Sequence, residues 1–146
     1  MSFNDVLRSV LNIIETSVTN QNIKIIQELG SDDSFSSYPN ELKQVILNLI
    51  KNAEDILLEK EIKNPYIKIS TCQEGGNHIL KVRDNGGGVP EEIIDKVFDP
   101  YFSTKKGKNG TGLGLYMSKI IVEEHCGGSL SVVNSADGAL FTIVIV

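Results

Sequence analysis

Asn48 and Asn52 stand four residues apart in an apolar-periodic stretch, a spacing that aligns two amide side chains on one helix face. Downstream come Asp84-Asn85-Gly86-Gly87-Gly88 and then Gly110-Thr111-Gly112-Leu113-Gly114-Leu115. Amide oxygens can serve Mg²⁺, which takes one or two protein oxygens and fills its shell with phosphate oxygens and water. A carboxylate at a strand end can accept from an amine on a planar base. A glycine-rich turn that runs into a helix offers N–H groups and a positive dipole to an anion. Together the three groups form a kit for a nucleotide carrying Mg²⁺.

Each group also has a plainer explanation. The asparagines could be ordinary surface residues, Asn85-Gly86 could be a type I′ hairpin turn, and the second glycine run could be a solvated connection. The residues after the turn argue against the hairpin: Gly88-Val89-Pro90-Glu91-Glu92 reads as a helix start, with no returning strand.

The elements that would position these groups are set by hydrophobic periodicity. Val6, Leu7, Val10, Leu11, Ile13 and Ile14 predict a helix over 4–20, with Asn4 or Asp5 as its cap. Residues 23–29 read as a strand, and 30–37 as a loop with a short strand near Phe35. Pro39 and Asn40 open a helix to about Lys60. The β-rich runs 66–73 and 78–84 are joined by a hairpin through Glu74-Gly75-Gly76-Asn77. A short helix is expected over 90–98, and a Gly/Lys/Ser/Thr loop extends to Gly112. A further helix from about Leu113 to His125 stops at Gly127-Gly128. Residues 129–134 and 139–146 form a second hairpin around Asp137-Gly138. Helices with two hairpins, rather than repeated βαβ units, give an α+β class with an antiparallel-rich sheet.

On the predicted helix 41–60, Leu42, Val45, Ile46, Leu49, Ala53, Ile56 and Leu57 form the apolar arc. Asn48, Asn52 and Asp55 share a stripe about 60° wide beside it. Asparagine competes for backbone hydrogen bonds and is a middling helix former, so two in mid-helix ask for a reason. In 78–84, Leu80, Val82 and Asp84 share a face, which puts Asp84 at the end of a core-facing row. A carboxylate there is costly without donors. Lys105, Lys106 and Lys108 lie in the loop before Gly110-Thr111-Gly112 and supply charges for phosphates. The Walker pattern is absent, because no Gly-Lys-Ser/Thr follows the glycines, and no strand leads into them as a dinucleotide fingerprint requires.

Composition bounds the rest. A chain of 146 residues is one domain, long enough to bury a sizeable core. The formal net charge of −5 and the lack of a basic stripe argue against nucleic acid. No 18-residue apolar run or signal peptide is present, so a cytoplasmic domain without direct membrane contact is expected. Cys72 and Cys126 have neither metal-ligand spacing nor a disulfide framework.

These residues resemble the catalytic, ATP-binding domain of sensor histidine kinases, the Bergerat fold shared with DNA gyrase, MutL and heat-shock chaperone ATPases. Residues 44–53 look like the N box, 84–88 match the first glycine box, 97–105 resemble the F box, and 110–115 match the second glycine box. The resemblance covers essentially the whole chain. It implies a two-layer α/β sandwich, with a mixed five-stranded sheet, three main helices on one face and a flexible ATP lid over about 99–111. By matched position, Asp84 would bind the adenine amine, and Asn52 with Asn48 would hold Mg²⁺. Phe98 and Phe102 would anchor the lid, and Lys105 would approach the phosphates. The ATP-binding set is then Asn48, Asn52, Asp55, Asp84, Gly86, Gly88, Lys105, Gly110, Thr111, Gly112, Leu113 and Gly114.

One departure bears on mechanism. In the hydrolysing relatives, glutamate stands where this chain has Asn48 and activates water. An amide has no useful basicity near pH 7, so Asn48 cannot be that base. The bound ATP should be poised for phosphoryl transfer, with little hydrolysis. No phosphoacceptor histidine is expected within the chain: His78 falls on a hairpin strand and His125 at a helix end. The resemblance therefore implies a histidine-bearing dimerisation domain elsewhere in a longer sensor, and a response regulator as the next partner. Alternatives are a stand-alone anti-sigma-factor serine kinase, disfavoured by Asn48 and the F box, and a non-catalytic ATP-sensing module, disfavoured by the intact boxes.

Overall fold

The computed structural model describes residues 1–30, 34–100, 114–135 and 137–146. In chain order the elements are α1 (Phe3–Asn20), β1 (Lys24–Leu29), α2 (Pro39–Glu59), β2 (Tyr66–Glu74), β3 (Asn77–Asp84), α3 (Gly114–Ile120), β4 (Ser129–Asn134) and β5 (Ala139–Ile145). The strands form one sheet in the order β1-β2-β3-β5-β4. The β1–β2 pair is parallel, and the β2–β3, β3–β5 and β4–β5 pairs are antiparallel. This is the expected mixed five-stranded α+β architecture.

Register fixes which side chains meet the helices. Ile69 pairs with Val82 and Val82 with Phe141; Thr71 pairs with Leu80 and Leu80 with Ile143. These residues form buried rows on a single sheet face. The facing helices supply Leu7 and Val10 from α1, Leu42, Ile46, Leu49 and Ile50 from α2, and Val122 from the turn after α3. Asp84 pairs with Ile67 at the last position of the same core-facing rows. Its burial thus comes from strand register rather than from a local turn.

The β2–β3 hairpin has a two-residue loop, Gly75 and Gly76, both with positive φ (55° and 84°), which is the type I′ requirement. Three local expectations are corrected. The cap of α1 is Ser2, whose Oγ accepts from the Asp5 N–H, while Asn4 Nδ2 donates to the Gly30 carbonyl and Asn4 Oδ1 accepts from the Thr71 hydroxyl. Asn4 stitches the helix to the sheet instead of capping it. Phe35 lies outside any strand; its N–H and C=O exchange bonds with Met1, and its ring stacks on His78. The short helix over 90–98 reduces to a 3₁₀ turn at Ile94–Lys96. The expected helix to His125 is present: α3 widens past Ile120 into a π turn over Ile121–His125, and Gly127 (φ 69°) reverses the chain.

Candidate functional site

The site is built along α2, whose two ends meet different parts of the fold. Near its middle, Asn48 Nδ2 donates to Ser118 Oγ of α3 at 3.2 Å, and Asn48 Oδ1 accepts from Gln44 Nε2 at 3.3 Å. Ser118 is fully buried and in turn donates to the Gly114 carbonyl at 2.8 Å. Asn52 and Asp55 are half-buried on the same helix. Farther along, Ile56 and Leu57 pack under Gly86, and Lys60 Nζ donates to the Gly86 carbonyl at 2.8 Å. Eight residues separate Asn48 from Ile56, a rise of about 12 Å. One rigid helix therefore spaces the amide stripe from the Asp84 loop.

Asp84 is only 2% exposed. Its Oδ1 accepts from the Gly86 N–H at 2.8 Å, and the carboxylate also takes the Ala139 N–H. Burial pushes its pKa above the ordinary value of 3.8, while the two backbone donors and the charge of Lys60 pull the other way. An ionised carboxylate has about four acceptor sites. Two backbone donors leave acceptor capacity for a further amine, so the carboxylate fits the exocyclic amine of an adenine base. Two amide side chains a turn apart fit the small oxygen demand of Mg²⁺, since phosphates and water complete its shell. Among the described residues no cluster of three His, Cys, Asp or Glu could hold a metal.

The glycines of the 84–88 run answer first to the protein itself. A Cβ on Gly86 would lie 2.8 Å from Ile56 Cγ2 and 3.0 Å from Asp84 Oδ1. Gly88 has φ +82°, and its Cβ would meet Asn134 Oδ1 at 2.7 Å. Asn85 is no hairpin residue: its Oδ1 accepts from the Tyr66 N–H and its Nδ2 donates to the Asn64 carbonyl. The loop is closed from the far side by the β4–β5 turn, where Gly87 N–H donates to the Asp137 carbonyl. Asn134 Nδ2 donates to the Val89 carbonyl, and its Oδ1 accepts from the Val89 N–H, both at 2.7 Å.

Sequence reasoning missed Lys60, Ser118, Asn134 and Gly138 as parts of this site. Asn134 and Gly138 border a turn already read from sequence, but their contacts with residues 84–89 depend on the β3–β5 pairing. Among the sequence candidates, Asn48, Asn52, Asp55, Asp84, Gly86 and Gly88 gather along α2 and the turn after β3. Gly114 opens α3 and is exposed. Lys105, Gly110, Thr111, Gly112 and Leu113, together with Phe102, lie outside the described residues. Phe98 is half-buried, edge-on to Phe141 at 6.1 Å and beneath Lys119 Nζ at 4.7 Å. A cavity of about 590 Å³ borders Phe98, Lys119 and Val132.

Residues 37–146 match the family described as histidine kinase-, DNA gyrase B- and HSP90-like ATPases. The chain belongs to this family. Within it, the chain is similar to sporulation kinase C of Bacillus subtilis, 31% identical over 97% of the chain and 32% of the relative. It is also similar to the two-component sensor PprA of Pseudomonas aeruginosa, 40% identical over 71% of the chain and 12% of that protein. The chain thus spans a third or less of these relatives' length. Among solved structures, the catalytic domain of histidine kinase ThkA superposes with a TM-score of 0.86 at 29% identity, covering 99% of this chain and 92% of that one. Another structure contains ThkA in complex with the response regulator protein TrrA, with a TM-score of 0.82 at 27% identity, covering 99% of this chain and 40% of that one. The fold and the ATP-binding character of the family are therefore those of this domain.

Proposed function

We propose that the chain is the catalytic domain that binds ATP with Mg²⁺ and presents the γ-phosphoryl group to a histidine on a dimerisation domain. From there the phosphoryl group would pass to a response regulator. The observation that carries the ATP half is Asp84: a carboxylate 2% exposed, held by two backbone donors, with acceptor capacity left for the base amine. Asn52 and Asn48 would hold the metal, which supplies charge neutralisation at the phosphates. Asp55 lies along the same stripe, and Gly86, Gly88 and Gly114 shape the walls. Lys105 and residues 110–113 would meet the phosphates.

In the transfer, the bond between the γ-phosphorus and the β–γ bridging oxygen breaks and a P–N bond to imidazole forms. ADP leaves and the imidazole proton passes to solvent. Such transfer needs positioning and charge compensation more than covalent chemistry from the protein. Asn48 fits that division of labour, because its amide cannot deprotonate water. No helix among the described residues is long and apolar enough to cross a membrane. The proposed place of work is the cytoplasm.

Titration with a fluorescent ATP analogue, with and without Mg²⁺, tests the reading. Saturable binding is expected, and Asp84→Ala should weaken it by roughly 1.5–3 kcal/mol, the range for hydrogen bonds to a charged group. Absence of saturable binding would sink the kinase reading, and unchanged affinity in the variant would remove Asp84 from the base site. The chain alone should form little phosphohistidine until a histidine-bearing dimerisation domain is added.

A further inference from the structure

We infer that Lys60 is a positioning residue for base recognition: it latches the 85–88 turn onto α2 and so sets the Gly86 N–H that holds the Asp84 carboxylate as an acceptor. The inference rests on the reading of Asp84 as the group that meets the base. Lys60 does not itself touch the base; it acts through Gly86 and Asp84.

The geometry begins with the way α2 ends. Lys60 is the C-cap residue, and the Ile62 N–H donates to the Leu57 carbonyl at 3.1 Å while the Glu61 N–H donates to the Leu58 carbonyl at 3.2 Å. That pair of bonds, with Glu61 at φ 50°, is a Schellman reversal. It fixes the point from which the Lys60 side chain departs. The ammonium reaches the Gly86 carbonyl at 2.8 Å and lies beside Gly87. The same Gly86 uses its N–H to hold Asp84 Oδ1, also at 2.8 Å. One peptide unit and its neighbour thus connect the lysine to the carboxylate.

The groups around Asp84 leave Lys60 with a distinct job. β5 offers the Ala139 N–H, and β2 places the neutral Ile67 across the pair. The β4–β5 turn brings Gly138 against Asp84 and carries Asp137, whose carboxylate accepts from the Tyr66 hydroxyl. Burial raises the Asp84 pKa; the Gly86 and Ala139 N–H groups oppose it most, and the charge of Lys60 adds to them. A protonated Asp84 would lose the charge-assisted part of its bond to an exocyclic amine. A cation nearby favours the charged form of a carboxylate, so removing it moves the titration up.

The test compares the unaltered chain with Lys60→Met and Lys60→Arg. Affinity for a ribose-labelled ATP analogue is measured from pH 5 to 8, and the Asp84 carboxyl is titrated by ¹³C NMR without ligand. In Lys60→Met, the Asp84 titration and the acid limb of binding should both move to higher pH. Lys60→Arg should restore both. A uniform loss of affinity at every pH, with the Asp84 titration unmoved, would reduce Lys60 to a structural contact and overturn the inference. The ligand-free titration also separates the two ideas. If the unaltered chain fails to bind the analogue, the ATP reading falls; if only the Asp84 midpoint ignores the lysine, the role of Lys60 falls.

Discussion

Gly138 lies directly against Asp84: a Cβ on Gly138 would sit 2.1 Å from the Asp84 carbonyl oxygen and 2.8 Å from its Oδ1. The neighbour being struck is backbone, which cannot swing aside as a flexible side chain would. Gly138→Ala should therefore force β3 and the β4–β5 turn apart, at a cost of roughly 1–3 kcal/mol, as overpacking does. Urea unfolding gives the stability change, and analogue titration should show affinity falling with it. An alanine variant of native stability and affinity would mean that the turn is not seated on Asp84.

Asp84 makes stability depend on pH in an unusual direction. Its folded pKa is raised above 3.8, chiefly by burial. Between 3.8 and the raised value, the folded chain holds more proton than the unfolded chain. Stability from this group is therefore highest at low pH, falls as pH rises through that window, and is flat above it. Glu54, raised by burial with Asp55 adding to the shift and Lys51 opposing it, slopes the same way. The informative measurement is thus the difference between the unaltered chain and Asp84→Asn in chemical denaturation from pH 4 to 7. That difference should decline with pH across the window. A level difference would show that Asp84 is solvated in the folded protein.

Much of this site could be read from the chain because periodicity carries it. The period of two in Leu80, Val82 and Asp84 put the carboxylate at the end of a core row, and the register with Ile67 bears that out. The 3.6-residue period of α2 likewise separated Asn48 and Asn52 from the apolar arc. What stayed hidden depends on contacts between distant segments. Asn134 looks like an ordinary strand-end residue until the β4–β5 turn folds beside Val89, where both backbone groups of that residue take its amide. Gly86 and Gly88 were legible as glycines, but not the reason: Ile56 and Asn134 occupy the space a side chain would need. The misread helix over 90–98 has a local cause. Pro90 and the acidic pair after it resemble a helix start, yet the chain forms only one 3₁₀ turn before Phe98 docks edge-on to Phe141.

Glu61 occupies the left-handed position of the Schellman reversal after α2, with φ 50°, where glycine is the usual residue. A non-glycine residue in that region carries about 1–2 kcal/mol of steric cost. Glu61→Gly should recover part of this, offset by the extra freedom glycine brings to the unfolded chain. The expected outcome is a rise of roughly 0.5–1 kcal/mol in unfolding free energy, with nucleotide affinity unchanged because Lys60 keeps its backbone position. Lower stability would show that the glutamate side chain makes a contact worth more than the strain.

Asn48 joins α2 to α3 through Ser118 and is also the proposed partner of Asn52 at the metal. The two roles separate by readout. Asn48→Ala removes one neutral side-chain hydrogen bond, so unfolding free energy should drop by about 0.5–1.5 kcal/mol. Ser118 keeps its donor bond to the Gly114 carbonyl, which limits the damage to α3. The metal role predicts something a structural contact would not. The ratio of ATP-analogue affinity with Mg²⁺ to that with chelator should shrink toward one, because a divalent site that loses a protein oxygen gains less from the ion. Asn48→Gln offers the same amide one methylene farther out and should recover the ratio only in part. If the alanine variant keeps the full Mg²⁺ dependence while losing stability, Asn48 is a strut between two helices and the metal belongs to Asn52 with the phosphates.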